Sequence, residues 1–201
     1  MIRFLDERKN DIIPRKDRVW TVEALASRMA EALATADRPV PLYLKALAGV
    51  AAAKEPAQVA FAMHCFWTGE FRIGGLEGVL TTEAGWLNGR EVTRVTWDRS
   101  VLGFEQLLEH AANFECADKV FVSVEGDRMA ASSRRLSVGT LDESYRRAKL
   151  TDQKRQISGT PFERLNLSPV QATKINALAR INPKSALNWL TPLQRSDITN
   201  S

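Results

Sequence analysis

Trp86-Leu87-Asn88-Gly89-Arg90-Glu91-Val92 is the stretch on which the fold turns. Asn-Gly supplies two residues that tolerate positive φ, as the tight turn of a two-residue hairpin demands, and apolar residues flank it on both sides. The spacing predicts antiparallel strands near 82–87 and 90–97. Beyond them Phe104, Leu107, Leu108 and Ala111 recur every three to four residues, which predicts a helix over 102–112. Lys119-Val120-Phe121-Val122-Ser123-Val124 is a short β-branched run and reads as a further strand, closed by a turn at Glu125-Gly126-Asp127.

Upstream of the hairpin the pattern is helical. Thr21 is a natural N-cap for a helix over 21–35, and Pro39 and Pro41 separate it from a second helix over 41–54. Pro56 suits the first position of a third helix. Its Val59, Phe61, Met63, Phe66 and Trp67 are apolar almost all the way round, so that helix is expected in the core. Gly69, Gly74, Gly75 and Gly78 read as turn glycines where helices give way to strands. A phosphate-cradling loop would also need a lysine and a hydroxyl-bearing helix start, which are missing.

Downstream of the last strand, Thr140-Leu141-Asp142-Glu143 and Ser168-Pro169-Val170-Gln171 both have capping-box form, and they predict helices over 141–150 and 168–181 with a linker between. Charge is distributed unevenly. The chain of 201 residues has a net charge of +4, with −4 over residues 1–127 and +8 over residues 128–201. On a helix over 141–150, Arg146 and Arg147 would pair with Asp142 and Glu143 at i,i+4. That leaves Arg128, Arg134, Arg135, Lys149, Lys154, Arg155, Lys174, Arg180 and Lys184 as candidate phosphate contacts to nucleic acid.

Enzyme signatures are few. No P-loop, dinucleotide fingerprint, nucleophile elbow or zinc-protease motif occurs. The two cysteines, Cys65 and Cys116, lie in no metal-binding or disulfide spacing. His64 cannot serve Cys65 within one helix, since adjacent side chains diverge by about 100°. His110 precedes Cys116 by six residues and would need a contact across the fold. Both thiols are expected to be reduced, structural core residues. Asp118, Glu125 and Asp127 flank the best strand and would have to converge to hold a metal for nuclease chemistry.

The segment from Ile181 to Pro192 is similar to the tail of DDE-type transposases, where a basic, proline-containing stretch precedes aromatic-Leu-Thr-Pro, here Trp189-Leu190-Thr191-Pro192. The carboxylate core that defines those enzymes has no counterpart upstream, so the resemblance implies no activity here.

These readings combine into an α+β protein: residues 1–127 form a core domain with a helical N-terminal layer packed on a small antiparallel sheet, and residues 128–201 a basic, helix-containing appendage. The expected function is non-catalytic accessory binding, with the appendage contacting nucleic acid. Docking of an acidic protein surface, or a metal-dependent nuclease or thiol enzyme without a local signature, are the alternatives. No cofactor or metal is expected. No apolar run reaches the roughly 20 residues of a bilayer span, and the charged N-terminus lacks the apolar stretch of a secretory signal, so the expected setting is the cytoplasm.

Overall fold

The computed structural model describes residues 1–199. The hairpin forms where expected: β2 (Val79–Leu87) and β3 (Arg90–Asp98) join through Asn88 and Gly89, both at positive φ, and pair antiparallel from Leu87 against Arg90. Around them β1 (Pro56–Ala62), β4 (Lys119–Val122), β5 (Ser137–Thr140) and β6 (Arg146–Arg147) complete a six-stranded sheet in the order β5-β4-β1-β3-β2-β6. All neighbours are antiparallel except β4 and β5, which makes the sheet mixed and the protein α+β.

The central strand is the largest departure from the expected elements. Residues 56–62 form β1, not a helix. Val59 and Phe61 point into one core while Ala60 and Ala62 point into another, and all four are buried. A strand covered on both faces reads as an unbroken apolar run, and such a run has no period to distinguish it from a buried helix. The helix that does form here, α3 (Phe66–Gly74), starts only after Cys65.

One face of the sheet carries α3 and α4 (Phe104–Asn113). Val59, Phe61, Val95 and Trp97 pack there with Ile73, Leu107 and Leu108. Leu141 and Tyr145 cover part of the other face, over Ala60, Ala62, Leu87, Val92 and Phe121. Tyr145 lies so close over β2 that a Cβ on Gly85 would meet its ring at 2.5 Å. Glu125-Gly126-Asp127 opens a helix, α5 (Glu125–Ser133), where a turn was expected, and the boundary expected at residue 127 falls inside it. Two strands past that point, β5 and β6, belong to the same sheet.

The C-terminal elements follow the sequence in part. The Ser168 capping box closes as written: Ser168 Oγ accepts from Gln171 N–H at 3.3 Å, Gln171 Oε1 accepts from Ser168 N–H at 3.0 Å, and α6 (Pro169–Leu178) follows. The Thr140 box does not. Thr140 ends β5, Asp142 spends its carboxylate on the Ser144 N–H and hydroxyl, and no helix forms over 141–150. Hence the expected i,i+4 pairs of Arg146 and Arg147 do not exist, and Arg147 Nε instead reaches Glu83 at 3.1 Å. The N-terminal helices, α1 (Val22–Thr35, capped by Thr21) and α2 (Leu42–Ala48), pack on each other. Through α2 they lean on α6 and the turn Leu187–Trp189 rather than forming a layer over the sheet. Among the described residues no helix is long and apolar enough to cross a membrane.

Candidate thiol site

β1 leads the chain into the site. Its last residue paired with β3 is Ala62, and Met63 then donates its N–H to Glu91 O at 3.3 Å, which keeps the two segments together one step further. The backbone must next change from extended to helical. Cys65 is where it does so, with φ −144° and ψ 118° as the N-cap of α3.

Cysteine is not among the preferred capping residues, and its side chain makes no capping hydrogen bond here. Glu91 supplies the missing acceptor from the start of β3: its Oε2 takes the N–H of Phe66 at 2.9 Å. Glu91 thus brackets the cysteine, with its carbonyl on Met63 and its carboxylate on Phe66. The free, half-buried Cys65 sits at the N-terminal end of α3, where the helix dipole favours the Glu91 carboxylate that accepts from the Phe66 N–H.

Aromatic rings surround this helix start. Phe66 meets Trp67 and Trp86 edge to face, both with centroids at 5.8 Å, and Trp86 remains 39% exposed. Trp67 is fixed by its indole N–H, which donates to Asp152 O at 2.8 Å. The Thr93 hydroxyl donates to Phe66 O at 3.0 Å and so ties α3 to β3.

The other cysteine is different. Cys116 is fully buried and donates to Phe114 O at 3.3 Å. Burial pushes its thiol up to about 11, with Arg72 opposing that rise and the charges of Asp118, Glu115 and Cys65 adding to it. His64 and His110 are exposed, and His110 stacks on Phe114 at 6.1 Å.

Several of the nine cations expected to face nucleic acid are used within the chain. Lys154 donates to the Glu70 carboxylate both from Nζ and, at 2.7 Å, from its backbone N–H, and its Nζ also reaches Thr82 O at 2.6 Å. Lys174 is buried, with Nζ 3.0 Å from Gly74 O and 2.6 Å from Leu76 O, the carbonyls that end α3. Burial lowers its ammonium to about 8, against a smaller opposite pull from Glu77. Arg155 lies over the Trp67 ring at 5.3 Å. Arg180 donates to Ser158 O at 2.6 Å, Arg134 meets Glu105 at 3.4 Å, and Arg128 meets Glu125 at 3.4 Å. Arg135, Lys149 and Lys184 are exposed. Lys154, Lys174 and Arg155 therefore hold the helix that carries Cys65.

The acids considered for a metal are likewise dispersed: Asp127 pairs with Arg99, Glu125 with Arg128, and Asp118 is exposed. Among the described residues no group of three or more His, Cys, Asp and Glu is placed to hold a metal ion.

No family model matches the chain, and no curated protein matches it. Among solved structures it is similar to methionine sulfoxide reductase A of Corynebacterium diphtheriae, with 12% identity over 53% of this chain and 76% of that one and a TM-score of 0.44. It is also similar to Mxr1 from Saccharomyces cerevisiae in an unusual oxidized form, with 12% identity over 46% and 74% and a TM-score of 0.37. The expectation of a non-catalytic nucleic-acid binder is corrected by the structure itself: the cations on which it rested include Lys154 and Lys174, which are internal clamps of α3.

Sequence reasoning set Cys65 aside as a structural thiol because it placed it in mid-helix beside His64, and it did not single out Glu91. The available signal was the apolar run 56–63 ending at a cysteine, with an acid just beyond the Asn-Gly turn.

Proposed function

We propose that this chain is a thiol-dependent reductase in which Cys65 is the nucleophile and Glu91 the proton donor, acting on a methyl sulfoxide. One observation carries the reading: the Glu91 carboxylate on the Phe66 N–H, next to a half-buried cysteine at the N-cap of α3. Rings of Phe66, Trp67 and Trp86 supply apolar surface for a methyl group beside that sulfur.

In the proposed step the Cys65 sulfur attacks the sulfoxide sulfur and the sulfoxide oxygen takes up a proton from Glu91. The hydroxyl then passes to the Cys65 sulfur as the S–O bond and the new S–S bond break, so that the substrate leaves as a thioether, Cys65 becomes a sulfenic acid and the proton given up by the thiol restores Glu91. Two equivalents of an external thiol return Cys65 to the thiol, with loss of one water and formation of one disulfide. A cytoplasmic setting, where thiols are kept reduced, suits this cycle.

The test is reduction of methionine sulfoxide, with dithiothreitol as reductant. Wild type should turn over, Cys65→Ser should be inactive, and Glu91→Gln should lose about 10²- to 10⁴-fold in kcat/KM. Turnover by Cys65→Ser at the wild-type rate, or no turnover by folded wild type, would refute the assignment.

A further inference from the structure

A cavity of about 530 Å³ is lined by neither Cys65 nor Glu91 nor the rings of Phe66, Trp67 and Trp86. Its floor is Gln58, Arg94 and Thr96, which alternate along their strands with the core residues Val59, Val95 and Trp97, together with Glu83, the cross-strand partner of Arg94; all four so point away from the face that carries α3. Arg147 and Lys154 stand at its side, and Val50, Leu167, Pro169 and Ala172 give it an apolar wall.

Charge in this cavity is unbalanced. Glu83 is the carboxylate shared by two guanidiniums: Arg94 donates to Oε1 at 2.6 Å and Arg147 Nε is 3.1 Å from Oε2. The Tyr145 hydroxyl adds a third donor at 2.8 Å, and its ring lies under Arg94 at 4.3 Å, which fixes the plane of that guanidinium. Lys154 is neutralised by Glu70. One positive charge is left over between Arg94 and Arg147. Each guanidinium has five N–H donors, and among the described residues neither makes a hydrogen bond or ion pair to any carboxylate besides Glu83.

We infer that this cavity is a binding site for a small organic monocarboxylate, its head group held by Arg94 and Arg147 and its hydrocarbon body against Val50, Leu167, Pro169 and Ala172. A planar carboxylate matches the fork of a guanidinium, and a single negative charge closes the balance where a phosphate dianion would overshoot it. The apolar wall and concave shape are those of a small-molecule site rather than of a simple ion pair.

The experiment is calorimetric titration of the full chain with phenylacetate, and with phenylacetamide as a neutral control of the same shape. Phenylacetate should bind saturably at millimolar concentration, with phenylacetamide at least about tenfold weaker. Arg147→Gln, at an exposed position, should weaken phenylacetate by about tenfold without changing the unliganded melting temperature, and Arg94→Gln should act in the same direction. Cys65→Ser should bind as wild type does, which separates this site from the thiol. Equal affinity for acid and amide, wild-type affinity in Arg147→Gln, or tighter binding of inorganic phosphate than of phenylacetate would overturn the inference.

Discussion

Lys154 and Glu70 form an ion pair across the fold, with the lysine donating from both its ammonium and its own backbone N–H to a carboxylate that is 0% exposed. A carboxylate this deep is tolerable only while it is paired, and the same lysine also occupies the Thr82 carbonyl on β2. The pair therefore anchors the middle of α3 to the segment after β6.

Removing one partner should cost far more than removing both. Lys154→Met leaves Glu70 buried beside a lone backbone N–H and should lower stability by about 3–5 kcal/mol. The double variant Lys154→Met/Glu70→Leu should recover much of that loss, because no buried charge remains. Urea denaturation of both proteins checks this, and equal destabilisation would show that packing rather than charge is what matters there.

Lys174 makes stability depend on alkaline pH. Its ammonium is held at about 8 in the fold against an ordinary value of 10.5, so between those limits the unfolded chain binds the extra proton. Stability should therefore rise with pH from about 8 to 10.5, by an amount on the order of 3 kcal/mol, and stay flat below 8 as far as this group is concerned. Lys174→Met should lack that rise. Parallel slopes for the two proteins in denaturation at a series of pH values would contradict the prediction.

Asp98 acts in the opposite range. Burial works against its ionisation but is outweighed by the Ser100 hydroxyl and the N–H groups of Lys54, Ser100 and Glu55, which together lower it to about 2 from 3.8. The lowered value contributes stability that is fully present above about 4 and is lost as pH falls through 2, a total of about 2 kcal/mol. Asp98→Asn should be less stable than wild type at neutral pH, and the gap should narrow on acidification. Thermal melts between neutral pH and pH 2 read this directly.

The two thiols should separate under alkylation. Cys116 is fully buried and raised to about 11, whereas Cys65 is half-buried at a helix start. Iodoacetamide on the native protein should modify Cys65 alone, and Cys116 should react only in denaturant. Peptide mass spectrometry showing native modification of Cys116 at the rate of Cys65 would contradict this placement.

Where local chemistry dictates structure, the sequence was sufficient. Asn88-Gly89 meets the need of its turn for positive φ, Ser168 and Gln171 satisfy each other within a single helical turn, and the period of Phe104, Leu107, Leu108 and Ala111 defines one buried helical face. Three other features depended on partners distant in the chain. Residues 56–62 became a strand because β3 and β4 were there to take both its edges, although its apolar run suits a helix equally well. Thr140 lost its helix because Tyr145, five residues later, lies against Gly85 and reaches Glu83. The excess of cations after residue 127 was plain from composition, yet Lys154 and Lys174 turned inward because Glu70 and the carbonyls at the end of α3 needed donors. Cys65 likewise acquired its neighbour Glu91 only through β1–β3 pairing, which brings together groups separated by 26 positions. Sequence determined the elements whose hydrogen bonds close within a few residues; tertiary structure decided those whose buried polar groups find partners only across the fold.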